Sequence, residues 1–502
     1  MMTSRTAAGL ATLTLALATL LSSAGAAAAS AAKPDPLDPT DFSGEVTADA
    51  VLAHLAEFEA IADANGGNRA VGTAGYEASA EYIESQLQDA GYTTRRQGFD
   101  FALQTILAYN LSVNGVASLP PLGIPMQGTT GTGPTPITAG IATPAGEGAV
   151  GCTKAEWTPD VTGKIAVVNR GVCSFADKSL AAAQAGAVAL IIINTEDAEF
   201  VGTLGPQGPE RVPTVGVSKS QGEGILANAD VSIELLLDEV TQVSTSFNVL
   251  AETPTGREDN TVVVGAHLDS VPEGAGINDN GSGSAAILET ALRLAEQGPL
   301  NNQVRFAWWG AEEVGLVGST HYVQDLVAND PTELDQIITY LNFDMVGSPN
   351  YVMSVYDANQ STFPAPVEVP AGSVATEKLF TDYFDSTGQP WVDTAFSGRS
   401  DYSAFIAAGV PSSGLFTGAE GLKTEAEAAT FGGQAGEAYD PNYHGAGDRV
   451  ANINADALGI ASQAIAFVVA SLSLDSSLIN GQLPPEPCGC GATNVAQTTS
   501  SR

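Results

Sequence analysis

Basic residues are scarce in this chain. Its 502 residues hold 19 Lys and Arg against 57 Asp and Glu, a formal net charge of −38. Such a surface repels phosphate backbones, which excludes nucleic acid as a partner; the acidity reads as solubility in a harsh extracellular medium. Cysteine is limited to 4 residues, and in an exported chain these are expected to pair. Cys152 and Cys173 flank one compact segment and make good partners. Cys488 and Cys490 lie in a Pro/Gly tail, where they either close a small ring or cross-link elsewhere. Histidine is equally rare, with 4 residues at positions 54, 267, 321 and 444. Any metal site that uses imidazole must draw on that short list. Beyond the N-terminus no apolar run looks long enough to span a membrane.

What is present places the chain outside the cell. Arg5 precedes an apolar segment from Leu10 to Leu21, and a small-residue tract follows from Ala24 to Ala32. This pattern reads as a secretory signal peptide over residues 1–32. No Cys follows it to carry a lipid, so a secreted, soluble monomer without a membrane partner is expected. Hydrophobic residues make up 44% and charged residues only 15%, a globular composition. The length exceeds one ordinary core, which predicts two domains with terminal extras.

Residues 33–118 read as a leader and the first helices of the larger domain. The Pro/Asp-rich stretch to Asp49 has little structure of its own, and helical periodicity covers Val51 to Ile61 and Tyr76 to Leu87. His54 falls within the first helix as a surface or packing residue. Residues 119–240 form a smaller α/β insertion. It has strands at Lys164 to Val168, Val188 to Ile193 and Val212 to Val217, and a helix at Ala176 to Gly186. Residues 241–480 resume the larger domain, and 481–502 are a Pro/Gly/Cys tail. The predicted fold is α/β: a mixed, mostly parallel sheet with helices on both faces, interrupted by the smaller domain.

Polar residues collect where the apolar strands end. Val262 to Val264 belong to a buried strand, after which come His267 and Asp269, then Asp279 ahead of a helical pattern. The strand Val304 to Trp309 ends on the adjacent pair Glu312 and Glu313, and Ile337 to Phe343 ends on Asp344. His444 sits in a turn-rich loop, Asp440-Pro-Asn-Tyr-His-Gly. Ligands of open α/β sheets gather at such strand ends. Adjacent side chains point in different directions, so one of the two glutamates can bind metal while the other serves as general base. Asp279, on a Gly-flanked loop, is the natural bridge between two ions. Asp269 would hydrogen-bond the His267 imidazole and set its tautomer.

Two resemblances follow from these residues. Gly163-Lys-Ile-Ala-Val-Val, Arg170-Gly-Val-Cys-Ser-Phe175, Lys178 and Ala185-Gly-Ala-Val-Ala-Leu-Ile-Ile resemble a protease-associated (PA) domain. His267-Leu-Asp269, Asn278-Asp279-Asn280-Gly-Ser-Gly, Glu312-Glu313, Phe343-Asp344-Met and Tyr443-His444 resemble the M28 family of di-zinc aminopeptidases. The likeness is to secreted bacterial members and to PA-containing ones such as aminopeptidase Y. It extends to Gly67-Asn68-Arg69 and Gly72-Thr-Ala-Gly-Tyr-Glu.

The second resemblance implies two zinc ions per chain. His267, Asp279 and Asp344 would hold one, and Asp279, Glu313 and His444 the other. Glu312 would be the general base, and Tyr443 would donate to the oxyanion. Arg399 would either help to hold the substrate's N-terminus or form an ion pair with Asp401. His321 reads as a packing residue. The implied activity is removal of an N-terminal residue, large and apolar like Leu, from peptides. The other readings are a glutamate-type carboxypeptidase of the same fold and a non-catalytic peptide-binding PA protein.

Overall fold

The computed structural model describes residues 37–484 apart from 118–120, 147–148, 196, 198–201, 206–209, 228–229 and 366. The expected signal peptide lies outside the described residues, as do Cys488 and Cys490.

A mixed sheet forms the centre. Its strands run in the order Val392–Thr394, Ser354–Tyr356, Ser412–Phe416, Ile337–Phe343, Arg257–His267, Asn302–Trp309, Ser232–Glu252. Arg257–His267 pairs in parallel with both neighbours, so the ends carrying His267, Glu312 and Asp344 face the same edge. Side chains alternate across the pleat. Val262, Val264, Phe306, Trp308 and Leu341 enter one apolar core, with the helices Ala48–Ala64, Ala74–Asp89, Gly283–Ala295 and Ala455–Leu474. Val263, Ala307, Trp309 and Tyr340 enter a second core on the opposite face, with Val317–Asn329 and Tyr402–Ala407. Burying a side chain of this size contributes about 1.5–3 kcal/mol, which is why the runs read as unbroken apolar stretches.

Between the larger and smaller parts lies continuous β structure. Thr93–Val113 and Ser232–Glu252 are each 21 residues long and pair antiparallel from Thr93 opposite Glu252 to Val113 opposite Ile233. The boundary expected near residue 240 therefore lies inside an unbroken strand. At the far end of this ribbon, Gly133–Ala142 joins a second, smaller sheet of Ile165–Asn169, Ala189–Ile193 and Thr214–Val217, parallel to one another. Cys152 and Cys173 are bonded within it.

Two expectations need correction. The leader is not structureless to Asp49: Asp38 caps a short helix, Pro39–Ser43, through the N–H groups of Thr40 and Asp41. That helix lies against Ala455–Leu474 and buries Phe42, and Val46 just beyond it is buried as well. Secondly, Ala455–Leu474 is long and apolar enough to cross a membrane, with mean hydropathy 1.9, but 67% of it is buried in this fold. It is a core helix that several elements enclose. His54 is the packing residue expected, buried between Tyr82 (2.6 Å) and Glu289 (3.1 Å).

If the leader is part of the core, Phe42→Ala should destabilise the protein by about 3–5 kcal/mol. Urea unfolding checks this. A midpoint equal to that of the parent would mean that the leader packs on nothing that matters.

Candidate metal centre

His267, Glu312, Glu313 and Asp344 stand at or just past strand ends, while Asp279 and His444 come from the loops 277–282 and 440–448. His267 closes its strand, and its Nε2 lies 3.2 Å from Asp279 Oδ1 and 3.3 Å from Asp344 Oδ1. His444 Nε2 lies 3.1 Å from the other oxygen of Asp279 and 3.0 Å from Glu313 Oε2. Asp279 is thus common to two triads, His267–Asp279–Asp344 and Asp279–Glu313–His444. In each, the candidate ligand atoms lie within 4.8 Å of one another. Both glutamates line the cleft, Glu312 half-buried and Glu313 buried. Ala311, Met345 and His444 all have positive φ, at 60°, 60° and 54°. Side-chain-bearing residues rarely adopt that conformation, and it clusters where the backbone must aim a functional group.

The surroundings hold this geometry with hydrogen bonds at every level. Asp448, itself buried, accepts the backbone N–H of Asn278 (2.7 Å) and of Asp279 (3.0 Å). Arg69, fully buried, donates to the carbonyls of Leu268, Ala275 and Gly276 on the other side of the same loop. Asp344 ends a chain of donors. Trp309 Nε1 donates to Tyr340, Tyr340 to Asn342, Asn342 to Ser400, and Ser400 Oγ to Asp344 Oδ2 at 2.6 Å. Gly265 makes room for the first link, because a Cβ there would sit 2.5 Å from both Trp309 Nε1 and the Tyr340 hydroxyl.

Two of the expected contacts take a different form. The nearest partner of His267 Nδ1 is the backbone carbonyl of Asp269 at 3.0 Å, with the carboxylate at 3.7 Å. That carboxylate instead accepts the N–H groups of Glu312 and Glu313 (3.1 and 3.3 Å) and so anchors the glutamate pair. Arg399 does not pair with Asp401. It pairs with Glu420 at 2.8 Å and reaches the Tyr443 hydroxyl at 3.4 Å, while Asp401 is buried with one oxygen unpartnered. Tyr443 stacks on the His444 ring, centroids 3.9 Å apart. Sequence reasoning missed Ser400, Glu420 and Asp448. Asp448 follows a Gly-rich turn, where an aspartate ordinarily reads as a helix cap.

The electrostatics call for a cation. Burial works against charged imidazoles. Even so, Asp344 and Glu312 drive His267 well above its ordinary range, and Glu313 and Asp279 push His444 up to about 11. Burial, with Asp279 beside it, raises Glu313 to about 7. Removal from water, with Asp344, Glu313 and Asp401 nearby, holds Glu312 well above the usual carboxylate range against the pull of His267. Glu313 Oε1 is buried and has no hydrogen-bond partner. A buried carboxylate with one orphaned oxygen, grouped with imidazole and a second carboxylate, is a donor set that could hold a metal ion. A third acidic group, Asp357, Glu377 and Asp393, contains no histidine. Its two buried members spend their oxygens on backbone N–H groups of residues 358–363 and on the Asn359 side-chain amide, which is a structural role.

Known proteins resemble this chain along most of its length. Residues 248–469 match Peptidase family M28 and residues 137–225 match the PA domain. The chain is 42% identical over 448 residues to an aminopeptidase of Pseudomonas aeruginosa, covering 86% of this chain and 82% of that protein. It is 40% identical over 437 residues to leucine aminopeptidase 2 of Trichophyton tonsurans, covering 86% and 85%. Among solved structures, a zinc aminopeptidase from Bacillus subtilis superposes with a TM-score of 0.60 at 26% identity, over 85% of this chain and 95% of that one.

Replacing Asp448 by Ala should orphan two buried N–H groups on the loop of Asp279, at about 1–3 kcal/mol each. Chemical denaturation reads the loss directly. A change under about 0.5 kcal/mol would show that the loop does not depend on this carboxylate.

Proposed function

We propose an aminopeptidase from one premise: the chain belongs to peptidase family M28. The observation that carries the reading is the pair of triads sharing Asp279, with Glu312 left free beside them. Zinc suits this mixed imidazole and carboxylate set, and the relative from Bacillus subtilis is a zinc enzyme by name. We assign one ion to His267, Asp279 and Asp344, and a second to Asp279, Glu313 and His444. Bound zinc would supply Lewis-acid polarisation of the scissile carbonyl and activation of water near neutral pH.

The chain's own groups account for the remaining chemistry. Glu312, raised above the ordinary carboxylate range, is suited to take a proton from the attacking water and return it to the leaving amine. Tyr443, steadied by its stack on His444 and by Arg399, donates to the developing oxyanion. A guanidinium repels an ammonium, and Arg399 is already engaged with Glu420. We therefore give Arg399 the task of steering Tyr443 rather than that of holding the substrate's N-terminus. The ammonium meets Glu312, Asp344 and Glu420, which line a cavity of about 100 Å³. Met345, Tyr356, Phe416 and Ala419 line the same cavity and suit an aliphatic side chain such as that of Leu. Its relative in Trichophyton tonsurans is named for leucine. The Cys152–Cys173 bond supports release into an oxidising medium, and we read the enzyme as a secreted monomer acting on peptides with free N-termini.

The test measures release of chromophore from Leu- and Glu-based substrates, with and without chelator and added zinc. The Leu substrate should be cleaved, cleavage should stop with chelator, and zinc should restore it. Metal-replete protein inert toward free N-termini would end the proposal. Glu312→Gln should keep the metal content and lower kcat by roughly 10²–10⁴-fold. Full activity in that variant would exclude Glu312 as the base.

A further inference from the structure

Beside the small cavity lies a larger one of about 570 Å³, within the range of ligand sites. Glu312, Glu313 and Tyr443 line both. A peptide whose N-terminal side chain fills the small cavity presents its scissile bond to Glu312, so the rest of the peptide must run into the larger one. That space is walled from two sides. Leu316 comes from the catalytic part, while Arg170, Phe175 and Thr203 come from the smaller sheet and its loops.

Phe175 is the aromatic residue that the smaller sheet and its loops bring to this cavity, and it is held firmly. Cys173, two residues before it, is tied to Cys152, and Ser174 caps the helix that Phe175 begins. Its ring lies against Gly202 and Met126: a Cβ on Gly202 would sit 2.7 Å from Phe175 Cε2 and 2.5 Å from Met126 Sδ. On another side the Arg170 guanidinium lies 5.8 Å from the ring centroid, itself bonded to Asn194 at 3.1 Å. An aromatic face fixed before binding contacts a partner at little entropic cost. Leu316, which lines the same cavity, adds an aliphatic surface.

We propose that Phe175 is a specificity-determining residue for the residue that follows the scissile bond, favouring aromatic and large aliphatic side chains there. The PA-type insertion then reads the leaving peptide while the catalytic part reads the N-terminal residue. This rests on the aminopeptidase reading above.

The experiment compares kcat/KM for Leu-Phe-Gly and Leu-Gly-Gly, following Leu release with the zinc-loaded full chain and with Phe175→Ala. The parent should prefer Leu-Phe-Gly, and the variant should lose about three- to tenfold of that preference, the worth of one aromatic pair. Phe175→Leu, which keeps apolar packing on Met126, should lose less, and it carries the test if the alanine variant does not fold. A ratio equal in parent and variants, or a parent preference for Leu-Gly-Gly, overturns the inference while leaving aminopeptidase activity intact. Failure of the parent to release Leu from either peptide overturns both readings.

Discussion

Everything at the sheet edge depends on one carboxylate facing two histidines. Asp279 offers one oxygen to His267 and the other to His444, so a shift of its loop would spoil both triads together. The loop must also tolerate Glu312, Glu313 and Asp344 within the same few ångströms. Like charges so close repel strongly in a buried site. The fold keeps them there because their positions are set by strands packed on both faces, not by the carboxylates' own preferences.

The supporting charges are arranged by sign. The loop that carries Asp279 exposes carbonyl oxygens on one side and N–H groups on the other. Arg69 takes the former and Asp448 the latter. Burial lowers Arg69 to about 10 despite the acids around it, and raises Asp448 to about 7. Neither group is comfortable alone; each is kept by the backbone dipoles it satisfies. Asp344 is held differently. Every member of the row from Trp309 to Ser400 donates forward, so the dipoles add up at its oxygen.

Most residues of the site were legible because they follow an apolar strand, where a charged side chain has no structural reason to be, whereas Asp279 and His444 were legible from their loops. His267, Asp344 and the Glu312–Glu313 pair stood out for that reason, as did the α/β class. The ribbon of Thr93–Val113 and Ser232–Glu252 was not legible in full. Much of it lies outside either core, so its burial pattern is irregular and gives no clean period of two. Phe42 was hidden by its Pro/Asp-rich context. For Arg399 the sequence offered two readings, of which the ion pair named the neighbour Asp401, whereas the fold brings Glu420 to it. The second task of the Asp269 carboxylate was not legible. Spacing brought it near His267, where it lies 3.7 Å from Nδ1, and the strand end also turns its oxygens to two N–H groups.

The continuous ribbon also bears on what the insertion can do. A lobe joined by flexible linkers wanders, and a wall built on it would select little. Here the chain enters and leaves the smaller sheet along two paired strands of 21 residues, whose ladder resists bending far more than a loop does. Gly133–Ala142 pairs with Ser232–Glu252 on one side and with Ile165–Asn169 on the other, so both sheets share a strand-level connection. The disulfide then stiffens the tip that faces the cleft. Such rigidity is what allows a residue as far along the chain from Glu312 as Phe175 to act as part of one binding surface. It follows that selectivity beyond the scissile bond is a property of the ribbon's register as much as of the side chains it presents.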